Sequence, residues 1–146
     1  MENREQQIDG FFDRYSDVFN KALKGGIPEI EQTAELFSTC FIAANPSGVN
    51  CGQNNETFLD TMQQGYSFYK NIGITSMDIV SKKITLLDEL HAMARVLWKS
   101  NYIKDGTQGS IEFENIYFIQ TKEDQLKIFG WITGDEQAAL KEYGLL

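Results

Sequence analysis

Residues 125–146 read QLKIFGWITGDEQAALKEYGLL and join a strand signal directly to a helix signal. The apolar run Leu126–Ile132 is rich in the branched and aromatic residues that favour strands. Thr133, followed three positions later by Glu136, has the form of a capping box, which predicts that a last helix begins there. Gly144 is expected to end that helix. The chain is therefore predicted to close with a strand and a short helix.

Helices are predicted upstream because apolar residues recur at spacings of three and four. The first covers residues 8–23 and ends at Gly25-Gly26, since glycine tolerates the left-handed conformation that closes a helix. The second begins at Pro28, which suits a first helical turn. The inner faces of these two helices are predicted to be Ile8, Phe11, Phe12, Tyr15, Phe19, Ala22 and Leu23, and Ile30, Ala34 and Phe37.

The segment from Asn45 to Asn55 is rich in Asn, Gly and Ser, and its composition predicts a loop. Asn54 or Asn55 can cap a third helix at the end of that loop. The apolar face of this helix is predicted to be Phe58, Leu59, Met62, Tyr66 and Tyr69.

From Met77 onwards the hydrophobic period changes to two, which indicates strands. Four strands are predicted, at Asp78–Leu86, His91–Ile103, Ser110–Thr121 and Leu126–Thr133. The connections between them are short enough for hairpins. Helices first and an antiparallel sheet second predict one α+β domain.

Alternation assigns the faces of the two long central strands. In the first, the inward set is Ala92, Ala94, Val96, Trp98, Ser100 and Tyr102. In the second it is Ile111, Phe113, Asn115, Tyr117 and Ile119, which leaves Glu114 outside. The small Ala92 and Ala94 beside Trp98 leave room either for a cavity or for a closely packed helix.

Composition excludes several functional classes. With 13 basic and 21 acidic residues the chain carries a net charge of −8, which argues against nucleic acid or an anionic membrane as the main partner. No signal-peptide pattern or membrane-spanning run is present in the sequence, and a cytoplasmic location is expected. Cys40 is predicted to be buried at the end of the second helix, and Cys51 to be exposed in a loop. With His91 as the only histidine, no metal site and no cofactor are expected.

Four segments, taken in order, resemble the nuclear transport factor 2-like (NTF2-like) superfamily, which includes ketosteroid isomerases and SnoaL-like polyketide cyclases. They are Arg14-Tyr15, Leu36–Ser38 running to the turn Asn45–Gly48, Met93–Trp98 and Leu126–Leu146. The resemblance implies a single SnoaL-like domain over residues 1–146. Its expected fold is a cone-shaped, curved antiparallel sheet wrapped around the N-terminal helices.

The resemblance also implies an apolar cavity inside the cone. Its candidate catalytic residues are Tyr15, at the position of the oxyanion tyrosine, together with Asn45, Asn115 and Glu114. Asn45 stands where ketosteroid isomerases have a carboxylate base, and an amide cannot accept the proton, so isomerisation of that type is not expected. Glu114 would be a buried acid only if the strand register turned it inward. The expected ligand-binding residues are Phe19, Phe37, Met62, Tyr66, Ala94, Val96, Trp98, Tyr117, Phe129 and Trp131.

Three functions remain open from the sequence. The first is a domain that binds a small apolar molecule. The second is a lyase, cyclase or isomerase that uses Tyr15 with one of the polar candidates on a carbonyl compound. The third is a dimeric interaction module, because relatives of this fold associate through the outer sheet face, where Met93, Arg95 and Leu97 are expected. That face is equally consistent with an ordinary solvated surface.

Overall fold

The computed structural model describes residues 2–25 and 27–146, which form four helices, six strands and their connections. None of these helices is both long and apolar enough to cross a membrane. In chain order the elements are α1 (Arg4–Leu23), α2 (Ile27–Ala34), β1 (Phe37–Asn45), β2 (Gly48–Gln53), α3 (Glu56–Asn71), β3 (Ile74–Leu86), β4 (His91–Lys104), β5 (Thr107–Lys122), β6 (Gln125–Ile132) and α4 (Glu136–Glu142).

The six strands form one curved sheet in the order β2-β1-β6-β5-β4-β3. All neighbours are antiparallel except β1 and β6, which run parallel. The closing strand therefore lies inside the sheet, between β1 and β5. The predicted α+β class, with helices packed on one face of a curved sheet and a short helix at the end, is confirmed.

An asparagine cap and a glycine define the two ends of helix α1. Asn3 caps it, because its side chain accepts from the Gln6 N–H at 2.8 Å and the Gln6 side chain accepts in return from the Asn3 N–H at 2.9 Å. At the other end Gly25 has φ +111°, and its N–H donates to the Ala22 carbonyl. Of the predicted glycine pair, Gly26 lies outside the described residues.

The main core lies between α1 and the concave face of the sheet. Ile8 and Phe12 of α1 are fully buried there, against the inward residues of β4 and β5. The inward set predicted for β4 is buried from Ala92 to Ser100. A second cluster joins the end of α1 to α2, α3 and α4, and includes Leu23, Tyr66 and Leu140. The alternation rule thus assigned the sheet face correctly in the two longest strands.

The region predicted as the end of the second helix and a loop is instead the hairpin β1–β2. Phe37 begins β1 rather than continuing α2, and Ile42 pairs with Cys51 across the hairpin. Asn54 fixes the start of this arrangement, because its side-chain amide donates to the carbonyls of Ala34 and Phe37. Cys40 is consequently exposed on a strand, not buried in a helix.

A β-bulge changes the face of Phe129. Phe118 pairs with Gly130 and Ile119 with Ile128, so Phe129 is an extra residue in β6 without a partner on β5. Ile128 and Trp131 face the core, three positions apart instead of two. The bulge turns Phe129 to the outer face, where its ring contacts His91 and Phe118.

The start of the last helix also differs from the prediction. Asp135 is the N-cap of α4, since its side chain accepts from the Ala138 N–H at 3.0 Å. Thr133 instead continues the sheet, and its N–H donates to the Ala44 carbonyl. A threonine at this position can either cap the helix or extend the strand. Here it extends the strand, because its N–H pairs with β1.

Gly73 and Gly106 provide a matched test of backbone constraint. Both have positive φ, but a Cβ at Gly73 would overlap the Ile103 carbonyl oxygen, whereas one at Gly106 meets open space. Each change to alanine costs about 1–2 kcal/mol of left-handed strain. We expect Gly73→Ala to reduce the free energy of unfolding by at least about 2 kcal/mol more than Gly106→Ala, as measured by urea denaturation. Equal losses would contradict the close approach of Gly73 to β4.

Candidate functional site

Two adjoining cavities lie between the helices and the concave face of the sheet. The larger has a volume of about 380 Å³ and the smaller about 210 Å³. Small-molecule sites typically measure roughly 300–1,000 Å³. The residues that line both cavities are Tyr15, Phe19, Tyr69, Asn115, Tyr117, Trp131 and Thr133. Helices α1 and α3, strands β5 and β6, and Thr133 directly after β6 therefore supply the walls that the two cavities share.

The Tyr117 hydroxyl is the centre of the buried polar contacts. Trp98 Nε1 donates to its oxygen at 3.0 Å, and Asn115 Nδ2 donates at 3.2 Å. Both donors are fixed by the sheet, because Trp98 lies on β4 and Asn115 lies two residues before Tyr117 on β5. A phenol has one proton to donate. Since no described residue accepts it, the Tyr117 proton remains available to a molecule in the cavity.

Aromatic rings hold Tyr117 in place. The Phe12 ring lies 5.1 Å from the Tyr117 ring between centroids, and the Tyr15 ring lies 6.0 Å away. Tyr15 in turn packs on Trp98, with ring centroids 5.8 Å apart. Edge and tilted contacts at these distances are the preferred aromatic geometries. The position of the hydroxyl is therefore set by packing as well as by hydrogen bonds.

The cavity tyrosines are neutral at neutral pH, and burial raises their pKa still further. Burial raises the pKa of Tyr117 to about 12, although the hydrogen bonds from Asn115 and Trp98 act in the opposite direction. Burial also raises the pKa of Tyr15 well above its usual value, and the neighbouring Tyr117 adds to the effect. At neutral pH the floor of the cavity, which contains Tyr15 and Tyr117, therefore presents hydroxyl groups that donate hydrogen bonds, not phenolate charges.

The start of α4 forms the rim of the larger cavity. Gly134, Asp135 and Glu136 line it on this side, and Ala139 and Leu140 lie behind them. Burial raises the pKa of Tyr69, and the nearby Glu136 carboxylate raises it further. Glu136 was predicted only as a capping residue. Tyr69 was predicted only as part of the α3 stripe. Periodicity identified both elements but could not show that α4 folds back over the sheet.

The structure brings most of the predicted site residues together. Phe19, Trp98, Tyr117 and Trp131 line the larger cavity together with Tyr15 and Asn115. Phe37, Met62 and Tyr66 line only the smaller one. Ala94 and Val96 are fully buried in the core and line neither cavity. The small side chains of β4 are thus part of the packed core and create no space at that level of the sheet.

Three predicted site residues have side chains elsewhere. Asn45 is exposed, and its side chain accepts from the Ser47 N–H at 2.8 Å within the β1–β2 turn. Glu114 borders the larger cavity through its place in β5, but its carboxylate accepts from Arg95 Nη1 at 2.9 Å on the outer face. Phe129 lies on the outer face because of the bulge. Neither Asn45 nor the Glu114 carboxylate can therefore act on a molecule in the cavity.

Met93, Arg95 and Leu97 lie on the outer face, as predicted. Strand register places Met93, Phe118 and Ile42 in one row across the sheet. The next row contains Arg95, Ile116 and Ile132. Ile42 is 52% exposed and Ile132 is 42% exposed. From β4 to β1 these two rows are largely apolar. Towards β3 the outer face becomes polar, with Lys83 beside Arg95 and the ion pair Arg95–Glu114.

Comparison of the sequence with protein-family models gives a match over residues 4–136 to the family described as NTF2-like protein (DUF6841). The chain belongs to this NTF2-like family. The resemblance inferred from the sequence is thereby confirmed. A comparison with curated protein sequences gives no match.

Solved structures that resemble this NTF2-like domain are distant in sequence. An NTF2-like protein with a cystatin-like fold from Novosphingobium aromaticivorans superposes with a TM-score of 0.72 at 14% identity, covering 97% of this chain and 88% of the other. A ketosteroid isomerase-like protein from Erwinia carotovora atroseptica gives 0.62 at 14% identity, with 91% and 97% covered. The association domain of C. elegans CaMKII gives 0.63 at 9% identity, with 88% and 93% covered. At these identities the likeness establishes the fold alone.

The raised pKa of Tyr117 predicts a loss of stability at alkaline pH. The unfolded chain releases this proton near pH 10 and the folded chain near pH 12, so stability is complete below pH 10 and falls as pH rises through that window. Tyr117→Phe removes the effect. We expect the stability advantage of the wild type over Tyr117→Phe to shrink by about 2 kcal/mol between pH 9 and pH 11.5, as measured by urea denaturation. A constant difference would mean that Tyr117 titrates normally in the folded state.

Proposed function

We propose that the chain acts as a single SnoaL-like domain that binds a largely apolar small molecule in the two adjoining cavities. The observation that carries this proposal is the Tyr117 hydroxyl, which accepts two N–H bonds and keeps its proton free within an aromatic enclosure. A buried hydroxyl costs free energy unless it is fully bonded. A carbonyl, ether or hydroxyl oxygen on the ligand would complete its bonding. The ligand is therefore expected to carry an acceptor oxygen at its inner end.

The proposal is binding and not catalysis because proton abstraction needs a base in contact with the substrate. The side chains of Asn45 and Glu114, the two candidates from the sequence, are directed away from the cavity. Glu136 does line the larger cavity, but it is exposed to solvent at the rim. Tyr15 and Tyr117 would stabilise a developing oxyanion, but neither removes a proton at neutral pH. The ketosteroid isomerase-like neighbour therefore supports the presence of a cavity, not the transfer of its activity.

The proposal predicts that neutral ring ketones raise the melting temperature. A ligand at 100 times its Kd adds about 2.7 kcal/mol, which is a rise of roughly 8 °C for a chain of this size. A panel from tetralone to steroid ketones would be tested by thermal shift. Tyr117→Phe should weaken binding of a positive ketone about fivefold, the value of one neutral hydrogen bond. Tyr143→Phe, a change of the same kind at a residue 47% exposed and outside both cavities, should leave the affinity unchanged.

Two results would contradict the proposal. One is that no compound in the panel raises the melting temperature and none changes the NMR signals of the cavity side chains. The other is a ligand whose affinity is equal in the wild type and in Tyr117→Phe. In either case the Tyr117 hydroxyl would have a structural role and would not bind a ligand.

A second function, assembly through the outer face, is favoured by the exposure of Ile42 and Ile132 in adjacent rows of the sheet. Monomeric proteins rarely leave a contiguous apolar surface of this kind uncovered. Met93 and Leu97 would lie within the same interface, and Arg95 with Glu114 at a polar position inside it. We propose that two copies pair through this face. The neighbour named as an association domain has the same fold, which supports the suitability of the fold for assembly.

Ile132→Glu tests this pairing. The side chain is 42% exposed in the single chain, so the fold should tolerate the change, while burial of a carboxylate at an interface would be costly. We expect the wild type to sediment as a dimer and Ile132→Glu as a monomer. Leu87→Glu, at a residue 54% exposed in the β3–β4 turn, is the control and should remain dimeric. A wild type that sediments as a monomer at high micromolar concentration would refute the interface.

A reducing compartment such as the cytoplasm suits the cysteines. Cys40 and Cys51 are free and exposed, and lie diagonally across the β1–β2 hairpin, since Cys51 pairs with Ile42. Diagonal positions hold Cα atoms about 7–8 Å apart, too far for an unstrained disulfide. Exposed thiols of this kind persist where the surroundings keep them reduced.

A further inference from the structure

The rim of the larger cavity carries negative charge. Asp135 and Glu136 both line it at the start of α4. The Asp135 side chain is held by its bond from the Ala138 N–H, whereas Glu136 is exposed and lies beside Tyr69. After burial, the charge of Glu136 is the next largest cause that raises the pKa of Tyr69. The Glu136 carboxylate is therefore close to a ring that faces the cavity, within reach of the outer end of a bound molecule.

Positive charge is missing from the cavity walls. Of the described residues that line the two cavities, none is lysine, arginine or histidine. The polar groups on the floor are Trp98, Asn115 and the tyrosine hydroxyls, which are neutral. The chain as a whole carries −8. An anionic ligand would lose its hydration without gaining a counter-charge and would approach against the field of the protein.

We propose that the ligand of this cavity is a cationic amphiphile: an apolar ring compound with an acceptor oxygen at the Tyr117 end and a protonated amine at the Glu136 rim. This inference rests on the proposed binding function and specifies the chemical class of its ligand. An ammonium group at the rim gains from the carboxylate and from the aromatic faces, since a cation within about 6 Å of a ring is attracted to its π-electrons. Selection arises from attraction of the amine and from repulsion of a carboxylate in the same place.

Three ligands of similar shape and different charge test whether the charge of the substituent affects the affinity. Three tetralones would carry an aminomethyl, a hydroxymethyl or a carboxyl group on the ring opposite the ketone. Their affinities would be measured by isothermal titration calorimetry at pH 7. We expect the aminomethyl compound to bind about fivefold tighter than the hydroxymethyl compound, and the carboxyl compound at least about fivefold weaker. The preference for the amine should shrink as salt is raised, because the rim is open to solvent.

Glu136→Gln is the decisive variant. It removes the charge but keeps the size, and it should bring the amine-to-alcohol preference close to one. Glu142→Gln makes the same change of net charge at an exposed residue of α4 that lines neither cavity, and it should keep the full preference.

The outcomes distinguish this inference from the proposal on which it rests. If the hydroxymethyl compound binds in a Tyr117-dependent manner but the amine is not preferred, only the cationic class is overturned. The same holds if Glu136→Gln and Glu142→Gln change the preference equally, since net charge and not the rim would then be responsible. If none of the three compounds binds, both the cavity function and its ligand class are overturned.

Discussion

The contact of α1 with Tyr117 on the concave face of the sheet determines much of the rest of the molecule. Phe12 is fully buried and packs on the Tyr117 ring, and Tyr15 packs on the same ring one turn further along. Ala92 and Ala94 of β4 are buried in the same core. Burying large apolar side chains contributes about 1.5–3 kcal/mol each, so this contact is a main source of stability. It also fixes the walls of the cavity.

Towards the far end of the sheet, the core that is packed against α1 is replaced by the two cavities. Trp98 lies at the boundary, because its ring belongs to the core and its N–H belongs to the polar contacts of the cavity. Strand β5 runs across the same boundary, from the fully buried Ile119 to Asn115 at the cavity. One sheet can therefore hold the domain together at one end and leave room for a ligand at the other. Stability and the proposed binding function therefore depend on neighbouring residues of the same strands.

The sequence predicted those parts of the fold in which one local signal acts alone. Strict alternation along β4 and β5 gave the correct faces for Trp98, Asn115 and Tyr117. The cavity position that the resemblance implied for Phe129 was wrong, because a single extra residue reverses the face and leaves no mark in composition. The loop that composition predicted was also wrong at β2, whose Asn- and Gly-rich residues have low strand propensity and become a strand by pairing with β1. The family resemblance supplied the cavity, but Glu136 at its rim depends on the tertiary position of α4.

The parallel pairing of β1 with β6 has a consequence for how the chain acquires its structure. Among the described strands, the β1–β2 hairpin joins the rest of the sheet through β6, and β6 is synthesised after all the others. Until it arrives, β1 and β5 each present an open edge, and the sheet exists as two unconnected pieces. Contacts between residues so far apart in sequence form slowly, because the loop between them must first be closed. The nascent sheet is thus most exposed to wrong strand pairing just before β6 is made, because the β1–β2 hairpin has no place in the sheet without β6.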